Sequence, residues 1–360
     1  MKKGKILSLL IGSLVTTTLL FAGCGKNENT KDKDYVVKLG YYNCDHMTAA
    51  CVAKDAGIFE ELGLKVNVTG NGKVPEAMAA GQMDVGYIGS GGLMAAQMKG
   101  SPIMAVANNH LGGSYYLVVN NKIKDSKDVV GKKLAIGSKP ENDLSWVEMS
   151  NKLHIPVEGL KYTPVDMSDL KDKYLAFKTG KIDGYATCDP WGSMAEYEKT
   201  GHILATFSKP GGQWGVCCFY SMNKNFEKEH PNLAKKMILA HSKAIKYIYT
   251  HPTKSAKIFA KNYNVPEEVA LMTIYKKTVG EGRTLTWKLT PEYIHNQINQ
   301  QMKVHGLDKE PKYDEFVNEK LIKESNVDDF DNFIKEKVNP VFPEGMNYED
   351  WKKKVQEVDV

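Results

Sequence analysis

The chain has 360 residues with 48 Lys+Arg against 43 Asp+Glu, a formal charge of +5 that drops by three to +2 once Lys2, Lys3 and Lys5 leave with the N-terminal segment. So even a balance excludes the basic footprint of a nucleic-acid-binding protein. Six cysteines spread over this length exclude a disulfide scaffold, and a lone arginine, Arg283, leaves a bidentate guanidinium clamp on an anion only one possible origin.

Residues 1–5 are short and basic, and residues 6–22 form an uncharged apolar run of seventeen. This is the layout of a secretory signal, and it falls short of the ~20 residues that cross a bilayer. Phe21-Ala22-Gly23-Cys24 resembles a bacterial lipobox, which implies a signal peptide over 1–23 and a diacylglycerol on Cys24. The expected location is the extracytoplasmic face of the cell membrane. Residues 24–34, without an apolar side chain after Cys24, read as a flexible tether.

From Tyr35 onward short β-branched or aromatic runs alternate with turns and helical patterns, which predicts an α/β protein with mainly parallel sheets. Strands are expected over 36–41, 65–68, 84–88 and 103–108, with a helix over 47–61 closed by Gly63. The aromatic run 115–120 reads as a first crossover between lobes. Further strands are expected over 133–136, 161–165 and 183–187, and helices after Ser138 through Lys152 and over 173–178. Residues 215–222 read as the return crossover. Helices over 231–251, 252–263, 266–279 and 291–305 each begin at or near a proline, and the charged stretch after Lys309 reads as a helical surface extension. About 325 residues exceed what one core usually serves, so two lobes are expected: 35–118 with 220–360, and 119–219.

In parallel α/β sheets, ligands sit beyond the C-terminal strand ends. Those ends carry Tyr42, Asn43, Cys44 and His46; Gly89, Ser90 and Gly91; His110; Ser138 and Asn142; and Cys188, Asp189 and Trp191. Two of these loops precede helices, whose free N–H groups hold an oxyanion without arginine. Ser138 is read as a helix N-cap and Arg283 as a solvated surface residue. Cys44, Cys188, Cys217 and Cys218 fall on strand ends or crossovers facing one cleft, with His46 and His110 in the same loops. They read either as small buried hydrophobes or jointly as a soft-metal or thiol-lined site.

Several segments in order resemble one family. They are Gly40-Tyr41-Tyr42 followed by residues 53–64, the turn 80–86, Gly131-Lys132-Lys133-Leu134-Ala135 and the turn 178–184. Together they resemble the nitrate/sulfonate/taurine and thiamin-pyrimidine-precursor group of the periplasmic-binding-protein superfamily. The resemblance implies a two-lobed clamp of type II, with two parallel-type sheets joined by a two-strand hinge. It further implies a small anionic or heteroaromatic solute, a sulfonate, nitrate, taurine or pyrimidine precursor, held between the lobes of a monomer. An ABC permease and its ATPase subunits are the implied partners, with no cofactor and no reaction. It places Trp191 as an aromatic wall and Cys217 at the cleft. Val216-Cys217-Cys218-Phe219 is similar to a shortened cysteine run of the eukaryotic thiamin-pyrimidine synthases, with Tyr220 where a final cysteine would stand. The alternative is therefore a metal- or thiol-dependent enzyme, or a metal-binding protein, on the same scaffold.

Overall fold

The computed structural model describes residues 31–70, 72–112, 115–159, 161–206, 215–303 and 309–359. The signal segment, Cys24 and most of the tether lie outside the described residues.

The strands in chain order are β1 (Val36–Tyr41), β2 (Lys65–Gly70), β3 (Val85–Gly89), β4 (Ile103–Leu111), β5 (Tyr116–Asn120), β6 (Lys133–Ala135), β7 (Thr163–Val165), β8 (Gly184–Thr187), β9 (Gly201–Thr206) and β10 (Val216–Asn223). They form two five-stranded sheets, ordered β2-β1-β3-β10-β4 and β7-β6-β8-β5-β9. β1 runs parallel to β2 and β3, and β6 parallel to β7 and β8. β10 is antiparallel to β3 and β4, and β5 to β8 and β9. Each sheet is therefore mixed, with one reversed strand in its interior.

The reversed strands correct the expected crossovers. β5 pairs only within the second sheet and β10 only within the first. Divisions at 118/119 and 219/220 would cut both strands in two. The chain instead changes sheets between Leu111 and Tyr116 and returns between Thr206 and Val216. β9, which no sequence pattern announced, closes the edge of the second sheet.

Between β1 and β5 lie helices α1 (Ala49–Asp55), α2 (Ile58–Glu61), α3 (Val74–Ala79) and α4 (Ser90–Met98). The helix expected over 47–61 is two, because Gly57 takes a left-handed φ of 76° between them. The second half carries α5 (Leu144–Lys152), α6 (Leu170–Lys178) and α7 (Trp191–Tyr197). After β10 come α8 (Lys224–Glu229), α9 (Pro231–Thr250), α10 (Pro252–Tyr263), α11 (Glu267–Tyr275), a π-helical turn over Lys276–Gly280, and α12 (Pro291–Lys303). Prolines begin α9, α10 and α12, as the missing N–H at a first helical turn permits.

The C-terminal stretch adds α13 (Tyr313–Phe316), α14 (Glu319–Lys323), α15 (Phe330–Phe333) and α16 (Tyr348–Val358). It is more than a surface extension. Trp351 and Val355, one helical turn apart on α16, are buried with Phe330 and Ile334 in the largest core cluster. That cluster also takes Val37 and Leu39 from the first sheet and Tyr116 and Tyr185 from the second. Apolar burial, non-directional and scaling with area, thus spans both halves. Among the described residues no helix is long and apolar enough to cross a membrane.

Candidate functional site

A cavity of about 780 Å³ opens where the two sheets present their strand ends. Its first wall is the start of α4. β3 ends at Gly89, whose extended backbone turns directly into the helix, and no side chain caps the first turn. The amides of Ser90, Gly91 and Gly92 therefore stand at the cavity with the positive end of the helix behind them. Gln297 on α12 donates to Ser90 Oγ at 3.2 Å. A β-carbon on Gly91 would come within 3.2 Å of Gln301 Nε2, so glycine keeps this edge narrow and open.

The opposite wall comes from the second sheet: Tyr115, Asp143, Ser145, Lys173, Thr187 and Cys188 line it, with Asn142, Asp166 and Ser168 at the same side. Here the helix start is already occupied. Asp143 accepts from the amides of Ser145 (2.9 Å) and Trp146 (3.3 Å) and from the Tyr115 hydroxyl (3.0 Å). Asp143, not Ser138, is the N-cap of α5, so of these two facing helix starts it is α4 that has no side-chain cap. Lys173 donates to the carbonyl of Ala186 at 3.0 Å, and burial draws its ammonium below the usual lysine range against the pull of Asp143 and Cys188.

Beneath the cavity two loops lock together. The Asp45 amide donates to the Asp189 carbonyl at 2.9 Å. Lys277, buried in the π turn, stands 3.3 Å from Asp45 Oδ2, pairs with Glu281, and donates to the Tyr116 hydroxyl at 3.2 Å. Its neighbour Lys276 donates to Ser193 Oγ at 2.8 Å and to Glu196 at 3.2 Å, and lies 3.6 Å from Asp189. Asp189 in turn accepts from the Ser193 amide (2.7 Å) and hydroxyl (2.9 Å). The π turn thus sends consecutive lysines to one loop of each half, a use of irregular helix common at functional sites.

The thiols converge on one imidazole. His46 Nδ1 lies 2.9 Å from Asp45 Oδ1, and its Nε2 lies 3.3 Å from Cys44 Sγ and 3.9 Å from Cys217 Sγ. Ligand-type atoms of Cys44, Asp45, His46 and Cys188 all fall within 4.8 Å of one another, as do those of His46, Cys217 and Cys218. Cys217 reaches the group because the register of β10 skips it: Val216 faces Leu111 and Cys218 faces His110. Such an extra residue re-aims a side chain. Asn109 Nδ2 donates to Cys218 Sγ at 3.1 Å and to the His46 carbonyl. His110 stacks on His46 with ring centroids 4.8 Å apart.

Charge follows this geometry. Burial opposes the Cys44 thiolate, yet the hydrogen bond with Cys188 and the charge and hydrogen bond of His46 bring its thiol down to about 7. Cys188 is pushed up by sharing that hydrogen bond and by burial. Cys218 is pushed up by burial, while its hydrogen bond and the nearby His46 draw Cys217 down. Burial disfavours the imidazolium of His46, but the surrounding thiols and Asp45 raise it well above the usual range; burial lowers His110 to about 4.

Of the residues predicted from sequence, His46, Gly89, Ser90, Gly91, Asn142, Cys188 and Cys217 line the cavity. Cys44, His110 and Asp189 are buried behind it. Four others sit elsewhere. Trp191 is 7% exposed, packs on Tyr174 with centroids 5.6 Å apart and does not line the cavity. Ser138 is exposed beyond Gly137, Asn43 is exposed, and Tyr42 is half-buried against the core. Arg283 is half-buried rather than free on the surface: it donates to the carbonyls of Thr278 and Phe342 and, at 2.8 Å, to Asn339 Oδ1, pinning the C-terminal stretch. Asp143 carried a legible signal, an acid just before a helix. Gln297, Gln301 and Lys277 carried none, because the fold alone brings them back to loops two hundred residues earlier.

Two α/β halves around one cavity define the class: a two-lobed clamp of the periplasmic-binding-protein type. The alkanesulfonate-binding protein SsuA of Xanthomonas axonopodis pv. citri, solved bound to MOPS, has this fold, with a TM-score of 0.64 at 17% identity over 81% of this chain and 97% of that one. The family model described as NMT1/THI5 like matches residues 43–255, and the chain belongs to that family. The taurine-binding periplasmic protein of Escherichia coli K12 is 29% identical over 167 residues, 45% of this chain and 50% of that relative, so the match spans half the relative's length. A 4-amino-5-hydroxymethyl-2-methylpyrimidine phosphate synthase of Saccharomyces cerevisiae S288c is 26% identical over 69% of this chain and 82% of its own. The chain is thus similar both to a relative named for binding and to a relative named for synthesis.

Proposed function

We propose that this chain is the extracytoplasmic solute-binding component of an ABC importer and catalyses no reaction. The observation that carries the reading is a cavity whose walls come from strand ends of both sheets, with an uncapped helix terminus on one side. Closing two halves on a solute gains contacts on both faces, so the ligand shifts an open–closed equilibrium.

The lining supports a small solute whose oxyanion end meets the α4 amides, a sulfonate, taurine or nitrate, or a heteroaromatic pyrimidine precursor held between the walls. Opposite, the Asp143 carboxylate can accept from an amino group and Lys173 can donate to a ring nitrogen. The taurine-binding and alkanesulfonate-binding names of its relatives agree with such chemistry. The importer's permease and ATPase subunits are the proposed partners of a monomer tethered through lipidated Cys24.

Thermal melts of the purified chain against taurine, alkanesulfonates, nitrate and pyrimidine precursors test this. A true ligand at a hundredfold its Kd adds about 2.7 kcal/mol of stability. A panel in which no member raises Tm would end this choice of solutes.

A further inference from the structure

We infer that Cys44, His46, Cys188 and Cys217 form a binding site for one thiophilic metal ion, zinc(II) or a cation of like preference, bridging the two halves at the floor of the cavity. The inference goes beyond the solute reading, though it uses the same cavity as the ion's path of entry.

The donor set has the right composition. Thiolate sulfur and imidazole nitrogen are the ligands that zinc and other thiophilic cations select, in four-coordinate sites. Three separate segments deliver them: the loop after β1 gives Cys44 and His46, the end of β8 gives Cys188, and the extra residue of β10 gives Cys217. Donor atoms of Cys44, His46 and Cys188 lie within 4.8 Å of one another, and Cys217, which clusters with His46 and Cys218, stands 3.9 Å from His46 Nε2. Sulfurs and nitrogen about 2.0 to 2.3 Å from a common centre would be separated by a little under four ångströms, so Cys44, His46 and Cys188 approach that spacing and Cys217 completes the set by turning toward them from the other side of the imidazole.

The surroundings also match. A metal-bound histidine normally donates its other ring N–H to a carboxylate, which fixes the tautomer and aims the free nitrogen. Asp45 holds His46 Nδ1 at 2.9 Å, leaving Nε2 toward the thiols. Lys277 at 3.3 Å anchors that carboxylate from the C-terminal helices. Asn109 donates to the adjacent Cys218 sulfur at 3.1 Å, which keeps that thiol occupied beside the site. His46, Cys188 and Cys217 line the cavity, so an ion reaches them without unfolding. Because ligand thiols must lose their protons, binding releases protons to solvent. Cys44 and Cys188 come from opposite sheets, so the bound ion cross-links the halves.

The test uses the full-length protein, detergent-solubilised and reduced. It is titrated with cobalt(II) as an optical probe and with zinc(II) against a chromophoric chelator. The expected result is one equivalent bound, with a sulfur-to-cobalt charge-transfer band, displaced by zinc. Cys44→Ser and Cys188→Ser each weaken zinc by at least about tenfold, whereas Cys51→Ser, buried outside the group, binds as the parent does. The cobalt spectrum of the unmutated protein decides the matter even if a variant misfolds. No binding, binding without a thiolate band, or the parent's affinity in both serine variants overturns the site. The solute melts, run with a chelator present, report separately on the solute reading.

Discussion

The amide of Asp45 donates to the carbonyl of Asp189 at 2.9 Å, so the loop that ends β1 and the loop that ends β8 meet backbone to backbone across the two sheets. Both carboxylates at this junction are buried, and each faces one lysine of the π turn. A buried ion pair adds little net stability when complete, but removing one partner strands the other charge.

Lys277→Met therefore strands Asp45 and Glu281 together. The expected cost is about 3–5 kcal/mol, read as a lower urea midpoint at unchanged slope. A midpoint within experimental error of the parent would show that Lys277 is dispensable to the junction.

Trp191 separates core from cleft. Truncation to alanine removes a buried indole that packs on Tyr174 and should cost about 3–5 kcal/mol. Solute affinity of the folded fraction should stay within a few-fold. A large loss of affinity with unchanged stability would return Trp191 to the ligand wall.

Much of this was legible from sequence. The run 36–41 marks the first strand over the residues it occupies, and Gly89 to Gly91 and Cys188 fall at strand ends that line the cavity, because turn chemistry and β-branched runs are local signals. What failed was non-local. β9 is a half-exposed edge strand, and β5 and β10 look like any alternating strand until pairing shows that each belongs wholly to one sheet. Trp191 sits at a strand end, where ligands gather, but packs on Tyr174, a contact that its position in the chain does not reveal. Lys276 and Lys277 lie in a helical pattern that gave no reason to expect them beneath the first loop.

Stability should depend on pH through His241. Its Nδ1 accepts from the Tyr87 hydroxyl at 3.0 Å and its Nε2 donates to the Asn108 carbonyl at 2.8 Å, an arrangement for the neutral ring. Burial lowers its pKa to about 4. Between the unfolded value near 6.5 and about 4, the unfolded chain binds a proton that the folded one refuses. The contribution is whole above pH 6.5 and is lost as pH falls through that window. His241→Gln should flatten the fall of Tm between pH 6.5 and 4; an unchanged slope would count against a neutral buried ring.

On the proposed lipid attachment at Cys24, Cys24→Ala should shift the chain from the membrane fraction to the soluble fraction of cells. Retention in membranes would mean that another segment holds it.

The central claim is that residues of both sheets grip one solute. Calorimetric titration with the solute that raises Tm most tests it directly, comparing the parent with Gly91→Val on the α4 side and Ser145→Trp on the α5 side. Both variants should weaken binding by at least about tenfold, roughly 1.4 kcal/mol, with unfolding midpoints near the parent's. Affinity left intact by either substitution would place the solute outside the shared cavity.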